Sequence, residues 1–339
     1  MTEFFKFGET DTDGYLPTGQ LIQASDGYLY GVTQNGGAFG GGGTVFKISL
    51  NGDYTQLHSF GNGEFDGDTP SGGLVEAADG NFYGVTTSGG DNTCSEIPSG
   101  VGNCGTIFRM SPSGETQIMH SFGDPAKSDE GVSPDGPLVQ GADGSLYGVT
   151  QGRGENGFGT IFKMSLDGEV EHFFSFGPRG DHPGAPQGGL MRASDGNIYG
   201  STSGGGLGLC GSRGCGTIFR ISSGDEVTVI YTFGLVDGTS DGRGPDGFLT
   251  EGRDGALYGS TLRGGSVDIN GGTIFRVTKA GEKTTLASFG PFLDKPTQPY
   301  GGLVEGPDGA LFGTTESGGN DLCQGARCPL GALFRYGPE

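Results

Sequence analysis

Short apolar segments alternate with glycine-rich turns along the whole chain. These segments are rich in Val, Ile, Phe, Tyr and Thr, the residues that fit the pleated surface of a β-sheet. No stretch shows the i, i+3, i+4 spacing of apolar residues that is typical of an amphipathic helix. The pattern therefore predicts an all-β protein with short strands joined by tight turns.

The apolar segments belong to one motif that occurs six times. Each copy contains an Asp-Gly doublet, an aromatic-Gly step, a glycine-rich stretch, a Gly-Thr-Ile-Phe-Arg segment or close variant, and a final segment that usually ends in Phe-Gly. The doublets begin at Asp26, Asp79, Asp143, Asp195, Asp254 and Asp308. Each copy offers four strands, which we label A to D in chain order. Four strands in a repeat of about 50 to 60 residues are typical of a propeller blade.

The two ends of the chain together supply one copy of the motif. The sixth copy stops after its strand C at Tyr336, and residues 2–8 match the Phe-Gly ending of the other D strands. A closed ring would remove the open sheet edges that favour aggregation. The sequence therefore predicts one domain over residues 1–339. This domain is a six-bladed β-propeller with four-stranded antiparallel blades, and the N-terminal strand 2–8 completes the last blade and closes the ring.

The repeated string carries a family resemblance. Asp-Gly-x-Leu-Tyr-Gly-x-Thr, then Gly-Gly, Gly-Thr-Ile-Phe-Arg and Ser-Phe-Gly, is similar to the bacterial GloVer-type tandem repeats. The resemblance covers nearly the whole chain. It implies an extracellular bacterial protein, because those repeats occur in secreted and surface-anchored proteins, and it implies no catalytic residue.

The cysteines indicate the compartment. They form three local pairs: Cys94 with Cys104, Cys210 with Cys215, and Cys323 with Cys328. An even number of cysteines in close pairs indicates the disulfides of a secreted protein. We therefore predict a secreted or cell-surface protein. Because no basic segment followed by an apolar stretch opens the chain, we expect a signal peptide to be absent from it.

The charge of the chain limits its partners. It has 19 basic and 40 acidic residues, for a net charge of −21, which would repel a nucleic acid backbone or an anionic membrane surface. No apolar run is long enough for a transmembrane helix. We expect no nucleic acid partner and no membrane insertion. The expected partner is a polysaccharide or oligosaccharide, bound by a monomer.

The residues that all copies share are expected to have structural roles. These are the basic residue that ends the Gly-Thr-Ile-Phe-Arg segment, expected to pair with a nearby acid, and the Tyr or Phe before Gly on strand B, expected in the core. His58 and His120 occupy equivalent places on strand D and are interpreted as packing residues. The D–A loops hold an acid shortly before a proline: Asp13, Asp66, Asp129, Asp181, Asp241 and Asp294. These acids are interpreted either as a turn device or as calcium ligands. The candidate Ca²⁺ ligands are Asp13, Asp66 and Asp241, and no other cofactor is predicted.

Positions that break the repeat predict the site. The B–C and D–A loops are long and variable, whereas the other turns are short, so function is expected on the long-loop face. Strand A opens with Pro-x-Gly, where x differs in nearly every copy: Thr18, Ser71, Asp135, Gln187, Asp246 and Tyr300. Varied side chains that face one another at one rim predict a central binding pocket.

One sector of this rim predicts a lyase that acts on uronic acids. Arg179 and Arg243 would bind the substrate carboxylate, and His182 or Tyr300 would remove the proton. Asp246 and Asp135 complete the candidate catalytic residues, and they are also considered as the acid–base pair of a glycosidase. The candidate substrate-binding residues are Arg179, Arg243, Arg153, Gln187, Tyr15 and Phe248.

Three functions stay open from the sequence. The first is an extracellular carbohydrate-active enzyme, a polysaccharide lyase or glycoside hydrolase, that cleaves its substrate in the central pocket on the long-loop face. The second is a non-catalytic carbohydrate- or protein-binding propeller. The third is a structural protein of a surface assembly.

Overall fold

The fold consists of β-strands arranged in two compact units. The computed structural model describes residues 5–10, 12–63, 66–92, 94, 104–127, 129–177, 183–184, 186, 189–207, 210, 214–234, 241–265, 271–290, 297–317 and 331–337. The described residues contain strands and no helix, which confirms the all-β prediction. None of these residues therefore belongs to a helix that could cross a membrane. The first unit is Met1–Ser175 and the second is Phe176–Glu339.

The first unit contains three antiparallel meanders of four strands each. The first two share one sheet, because their A strands pair in parallel at Gln20 and Gly73, and the third forms a sheet of its own. The strands are β1 (Gly14–Gln23), β2 (Leu29–Gly36), β3 (Thr44–Ile48), β4 (Tyr54–Ser59), β5 (Gly67–Glu76), β6 (Phe82–Gly89), β7 (Thr106–Met110), β8 (Thr116–Ser121), β9 (Gly131–Gln140), β10 (Leu146–Arg153), β11 (Thr160–Met164) and β12 (Val170–Ser175).

The second unit contains three further meanders, each in its own sheet. The last of these has strands A to C within the described residues. The strands are β13 (Met191–Arg192), β14 (Ile198–Thr202), β15 (Thr217–Ile221), β16 (Val227–Thr232), β17 (Arg243–Glu251), β18 (Leu257–Arg263), β19 (Thr273–Val277), β20 (Lys283–Ser288), β21 (Thr297–Glu305), β22 (Leu311–Ser317) and β23 (Leu333–Tyr336).

Residues shared by the repeats build the inside of each meander. In the third meander, Tyr147 donates a hydrogen bond to Asp143 Oδ2 at 3.2 Å, and Lys163 Nζ lies 2.8 Å from the same oxygen. Tyr147 is 3% exposed. In this meander the strand B tyrosine is therefore a core residue that holds the Asp-Gly turn. The strand C base pairs with the turn acid here and also in Arg276–Asp254 and Arg335–Asp308, whereas Arg109 donates to Gln117 instead.

A pair of buried threonines joins strands B and C. Thr150 Oγ1 and Thr160 Oγ1 lie 2.9 Å apart, and both side chains are fully buried. Gly131, the first residue of strand A, packs directly on this pair: a Cβ atom there would come within 1.8 Å of Thr150 Oγ1. The same threonine pair occurs in four other meanders: Thr33 with Thr44, Thr86 with Thr106, Thr202 with Thr217, and Thr261 with Thr273.

Neighbouring meanders pack through one recurrent aromatic contact. The phenylalanine after strand D lies against the strand C phenylalanine of the next meander, with the two rings inclined at 61–67°. Burial of such pairs provides hydrophobic stabilisation in addition to an edge-to-face attraction. Within the two units, the ring centroids are 5.0–5.2 Å apart in Phe60–Phe108, Phe122–Phe162, Phe233–Phe275 and Phe289–Phe334.

The N-terminal segment differs from its prediction in one respect. Residues 5–8 do not form a strand, and residues 2–4 lie outside the described residues. Among the described residues, no strand pairs with residues 5–8, so a β-ladder that would complete the last blade is not confirmed. Phe5 stacks on Tyr54 at 3.8 Å, and Phe7 lies 5.1 Å from Phe46. The segment therefore packs on the first meander.

Two of the three predicted disulfides are confirmed. Cys94 bonds to Cys104 and Cys210 bonds to Cys215, with Cα–Cα distances of 5.4 and 5.1 Å. Both bridges lie in B–C loops. Cys323 and Cys328 lie outside the described residues.

Candidate functional site

The rim positions, meaning the residue x of each Pro-x-Gly segment, are held by an unusual backbone. The residue before the proline has a left-handed conformation in the described copies, with φ of 59° at Thr69 and 54° at Ser133. Its N–H donates to the last part of the preceding B–C loop, from Thr69 to the carbonyl of Gly42 at 2.9 Å and from Ser133 to that of Cys104 at 2.8 Å. Because non-glycine residues rarely adopt this conformation, the loop contact fixes where each rim side chain stands.

In the first unit, the rim positions of two meanders are joined. Ser71 Oγ donates a hydrogen bond to Asp135 Oδ1, and Gln151 Nε2 donates to Asp135 Oδ2 at 2.7 Å. Asp135 is half-buried and Gln151 is exposed. This hydroxyl, carboxylate and amide form the kind of polar cluster that orients a ligand in a pocket.

In the second unit, the two described rim positions are occupied by a buried acid and an exposed phenol. Asp246 is 9% exposed, and its Oδ1 accepts a hydrogen bond from the N–H of Gly247 at 2.9 Å. Tyr300 is 57% exposed at the equivalent place on β21. Phe248 is half-buried on β17. Asp246 and Asp135 belong to different units, so their use as an acid–base pair stays a prediction.

Two arginines of the second unit form the most distinctive feature of the long-loop end. Arg243 on β17 and Arg263 on β18 are directly paired across the antiparallel ladder. The corresponding pairs are Tyr15 with Asn35 and Asp68 with Ser88 in other repeats. A cavity of about 300 Å³ is lined by both arginines together with Ser203, Leu262 and the Cys210–Cys215 disulfide. Like charges directly opposite each other in a sheet are destabilising, which makes this pair unusual among the repeats.

Other predicted binding residues have different places. Arg153 has φ of 57°, and its Nη1 donates to the carbonyl of Gly123 at 3.3 Å, so its guanidinium contacts the backbone of the preceding loop. Tyr15 is 49% exposed at the start of β1. His182, Arg179 and Gln187 lie outside the described residues, and their roles stay predictions.

The acids proposed for calcium lie in separate turns after the Phe-Gly segments. Asp13 Oδ2 accepts the N–H of Thr10 at 3.1 Å, Asp66 Oδ2 accepts that of Asn62 at 3.1 Å, and Asp241 Oδ2 accepts that of Gly234 at 2.8 Å. These contacts are those of a turn device. Calcium needs six to eight oxygen ligands, and calcium at these positions stays a prediction.

One of these acids belongs to a buried ion pair. Lys283 Nζ lies 2.7 Å from Asp241 Oδ1, with the two side chains 4% and 8% exposed. The hydroxyl of Tyr231 donates to the same oxygen at 2.6 Å. Burial lowers the pKa of Lys283, although Asp241 acts in the opposite direction. Burial and the contact with Asp241 together raise the pKa of Tyr231 well above its usual range.

The corresponding place in the first unit holds a group that could bind a metal. Glu130, fully buried, approaches His120 Nε2 at 3.0 Å and His172 Nε2 at 3.4 Å through its Oε1. Burial alone would raise the pKa of Glu130, but the two imidazoles and the N–H of Asp124 hold it well below its usual range. Among the described His, Cys, Asp and Glu side chains, this is the group whose ligand atoms all lie within 4.8 Å of one another.

Sequence reasoning missed this cluster. It interpreted His120 as a packing residue and took Asp129 as the repeated acid, whereas Glu130 makes the turn contacts, because its Oε2 accepts the N–H groups of Gly123 and Asp124 at 2.7 Å. A usable signal was the spacing to the proline. Asp13, Asp66 and Asp241 each precede the proline of Pro-x-Gly by four residues, and so does Glu130.

The comparisons with known proteins concern the repeat and the fold. The family described as Gloeobacter/Verrucomicrobia repeat matches residues 1–97 and 179–339. No curated protein matches the chain. The extracellular domain of a protein assigned as a hybrid two-component system from B. thetaiotaomicron is similar in structure, with a TM-score of 0.55 and 11% identity over 94% of this chain and 33% of that chain. The chain thus spans about a third of the length of that structure.

Two further solved structures are similar over almost their whole length. A luciferin-regenerating enzyme has a TM-score of 0.52 and 13% identity, over 94% of this chain and 91% of that one. An aldose sugar dehydrogenase from Streptomyces coelicolor in its PQQ-bound form has a TM-score of 0.48 and 18% identity, over 97% of this chain and 98% of that one. At these identities, the similarities to the extracellular domain and to the luciferin-regenerating enzyme concern the fold alone. The similarity to the sugar dehydrogenase carries no argument.

Proposed function

We propose that this chain, which belongs to the Gloeobacter/Verrucomicrobia repeat family, is a six-bladed propeller that binds a uronic-acid-containing polysaccharide outside the cell, at the long-loop end of its blades. The family match agrees with the resemblance of the sequence to GloVer-type repeats. The two disulfides support the location, because such bonds form in oxidising extracellular compartments.

The placement of Phe7 supports closure of the ring. Its ring lies 5.1 Å from that of Phe46 with an inclination of 60°. This is the geometry that the phenylalanine after each D strand has toward the next meander, as in Phe60–Phe108 at 5.0 Å and 63°. Phe7 therefore contacts the first meander as the phenylalanine after the D strand of a preceding blade would. In the proposed ring, residues 2–8 take the place of the fourth strand of the sixth blade.

The exposed apolar residues at the two ends of the repeat array support the same closure. Leu21 of the first meander is 54% exposed, whereas its counterpart Leu74 in the second is 2% exposed. Leu333 of the sixth meander is 71% exposed, whereas its counterpart Ile107 is fully buried. Burying such side chains stabilises by about 1.5–3 kcal/mol each, so contact between the first and sixth meanders would contribute substantially to stability.

Thiol reactivity tests the closure. We expect Leu21→Cys and Leu333→Cys each to react with a thiol reagent about 100-fold more slowly than Thr284→Cys, because their side chains would lie in a sheet-to-sheet interface. Thr284 is exposed on β20 and serves as the matched control. Reaction of both cysteines at the rate of the Thr284→Cys control, in a protein with native circular dichroism, would contradict the closed ring.

The opposed arginines carry the functional part of the proposal. Arg243 and Arg263 are the repeat-breaking residues that line one cavity, and among the described residues Arg263 has no acidic side chain within ion-pair distance. A guanidinium binds a carboxylate through two parallel hydrogen bonds. A pair of arginines therefore explains how a chain of net charge −21 would attract a carboxylate-bearing saccharide to one place.

The binding test uses polygalacturonate and a neutral β-glucan. We expect Arg243→Gln and Arg263→Gln each to weaken binding of the uronate polymer by about 10- to 100-fold, the value of a charge-assisted hydrogen bond pair, in isothermal titration at low salt. Arg192→Gln is the control, because this substitution removes the same charge from an exposed residue on β13, at the other end of strand A. Higher salt is expected to weaken binding by the natural protein.

The same titration separates the alternatives. Equal binding of the uronate polymer by all three variants would disprove the arginine site. Binding of the neutral glucan alone would disprove the proposal that the ligand contains uronic acid. A rise in absorbance at about 235 nm would show formation of an unsaturated product by base-catalysed elimination. That result would favour the lyase, in which the exposed phenol of Tyr300 is the candidate base.

A further inference from the structure

We propose that His120, Glu130 and His172 bind one zinc-type divalent metal ion that ties the second meander to the third. This site shares no residue with the proposed saccharide site, because all three residues belong to the first unit. His120 lies on β8, the D strand of the second meander, and His172 lies on β12, the D strand of the third. Glu130 immediately precedes β9.

The distances between the ligand atoms fit a tetrahedral ion. Zinc binds nitrogen and oxygen at about 2.0–2.1 Å, so two ligand atoms at adjacent corners of a tetrahedron are about 3.3–3.4 Å apart. Glu130 Oε1 lies 3.0 Å from His120 Nε2 and 3.4 Å from His172 Nε2. All three ligand atoms are within 4.8 Å of one another. The two Glu130–imidazole distances already fit this geometry, and the two imidazole nitrogens would have to approach to about 3.4 Å from a separation of at most 4.8 Å to complete three corners. A water molecule would take the fourth.

The state of His172 indicates a missing partner. Its side chain is 10% exposed, and its Nδ1 has no hydrogen-bond partner among the described residues. Its Nε2 lies 3.4 Å from Glu130 Oε1, within ion-pair distance but without the geometry of a hydrogen bond. The ring is enclosed by Phe122 and Phe162, with centroids at 6.1 and 6.4 Å. An imidazole nitrogen buried without a partner is costly. A metal ion bound at Nε2 would satisfy that nitrogen.

The other oxygen of Glu130 is already occupied. Its Oε2 accepts two backbone N–H groups at 2.7 Å, so the carboxylate is oriented with Oε1 toward the imidazoles. Such supporting hydrogen bonds are typical of metal ligands. Lys127 Nζ is 4.0 Å from Oε1, but its side chain is 51% exposed and is free to turn toward solvent when a metal ion binds.

The same place in the second unit already holds a cation. There Asp241 replaces Glu130, Tyr231 on β16 replaces His120, and the ammonium of Lys283 on β20 lies 2.7 Å from the carboxylate. In that meander pair the buried positive charge comes from a side chain of the next D strand. In the first unit the next D strand supplies an imidazole instead, and a metal ion would provide the corresponding charge.

Zinc titration of the full chain tests the site. After removal of any affinity tag and of metals by a chelator, we expect one equivalent of Zn²⁺ to bind, the Tm to rise on binding, and Co²⁺ to give the visible absorption of a tetrahedral complex. His172→Gln and Glu130→Gln are each expected to weaken Zn²⁺ binding by at least about 100-fold. Glu130→Gln keeps an acceptor oxygen for the two N–H groups, so it tests the ligand without removing the turn contacts.

His58→Gln is the matched control. His58 occupies the place of His120 in the preceding meander and lies 3.7 Å from Asp66, but Ile118 stands where the second imidazole would be. This variant is expected to bind Zn²⁺ as the natural protein does. A natural protein that binds no Zn²⁺ at micromolar concentration would overturn the proposal. So would binding that His58→Gln weakens as much as His172→Gln, or a Co²⁺ spectrum without tetrahedral bands.

Discussion

An Asp241→Asn protein is expected to unfold with a free energy about 3–5 kcal/mol lower than that of the natural protein, the usual cost of leaving a buried charge without its partner. The side chain of Lys283 is only 4% exposed, so its ammonium group is buried. It also contacts the carbonyl of Asp241 and the hydroxyl of Thr285, but neither group carries a negative charge. The measurement is urea unfolding followed by circular dichroism.

The pH dependence of this variant identifies the cause. Burial already lowers the pKa of Lys283 in the folded protein, and loss of Asp241 lowers it further, whereas the unfolded chain keeps the ordinary value of about 10.4. At a pH between the pKa of Lys283 in the folded state and its pKa in the unfolded state, the unfolded state binds more protons. The free energy of unfolding therefore rises with pH in this range. We expect the deficit of Asp241→Asn to be largest near neutral pH and to shrink toward pH 9 to 10.

The double variant is the control for this prediction. Lys283→Met removes the buried charge, so Asp241→Asn together with Lys283→Met is expected to recover most of the lost stability, since an apolar side chain of similar length replaces the pair at little cost. A deficit that is independent of pH, or a double variant as unstable as Asp241→Asn, would show that the charge is not the cause.

A Gly131→Ala protein is expected to lose about 3 kcal/mol or more of stability, the upper part of the usual range for overpacking a core. The added Cβ would lie 1.8 Å from Thr150 Oγ1 and 2.5 Å from Thr160 Oγ1. Both threonines are fully buried and hydrogen-bonded to each other, so neither can turn away without losing its partner. Thermal unfolding, with the Tm as readout, measures the effect.

Gly224→Ala is the matched control for this substitution. Gly224 lies in the turn between β15 and β16, where an added Cβ would meet only Ser222 Oγ at 3.9 Å. We expect its Tm to stay within a few degrees of the natural value. Equal losses in the two variants would mean that a general effect of replacing glycine, and not the contact with the threonines, lowers the stability.

Local periodicity was sufficient to predict the strands, the Asp-Gly turns and the scaffold roles of residues such as Tyr147 and Lys163, because each of these contacts joins positions inside one repeat. The two described disulfides were predicted for the same reason. The absence of a strand at residues 5–8 was not predicted, because the Phe-Gly match shows which contacts Phe7 makes and does not show whether a neighbouring strand pairs with it.

The candidate sites were predicted less completely, because they join different repeats. His172 approaches Glu130 from the D strand of the next meander, and this proximity follows only from the way two sheets pack. The pairing of Arg243 with Arg263 requires the register of β17 and β18, which the sequence does not specify when a bulge shifts it. Sequence reasoning identified Arg243 as a candidate binding residue but did not predict that Arg263 lies opposite it.

In the described copies, the left-handed residue before the rim proline explains how the repeats tolerate different lengths. Its N–H is bound to the last part of the B–C loop, as Ser133 is to Cys104, and the proline beside it packs on the following glycine, as Pro134 does on Gly105. The loop is thus anchored at its end, whatever precedes the anchor. Successive Asp-Gly doublets are 52 to 64 residues apart. Loops of different length can therefore precede the same anchoring contact. The sequence of a B–C loop can therefore change between copies, and with it the binding specificity, while the strands keep their positions.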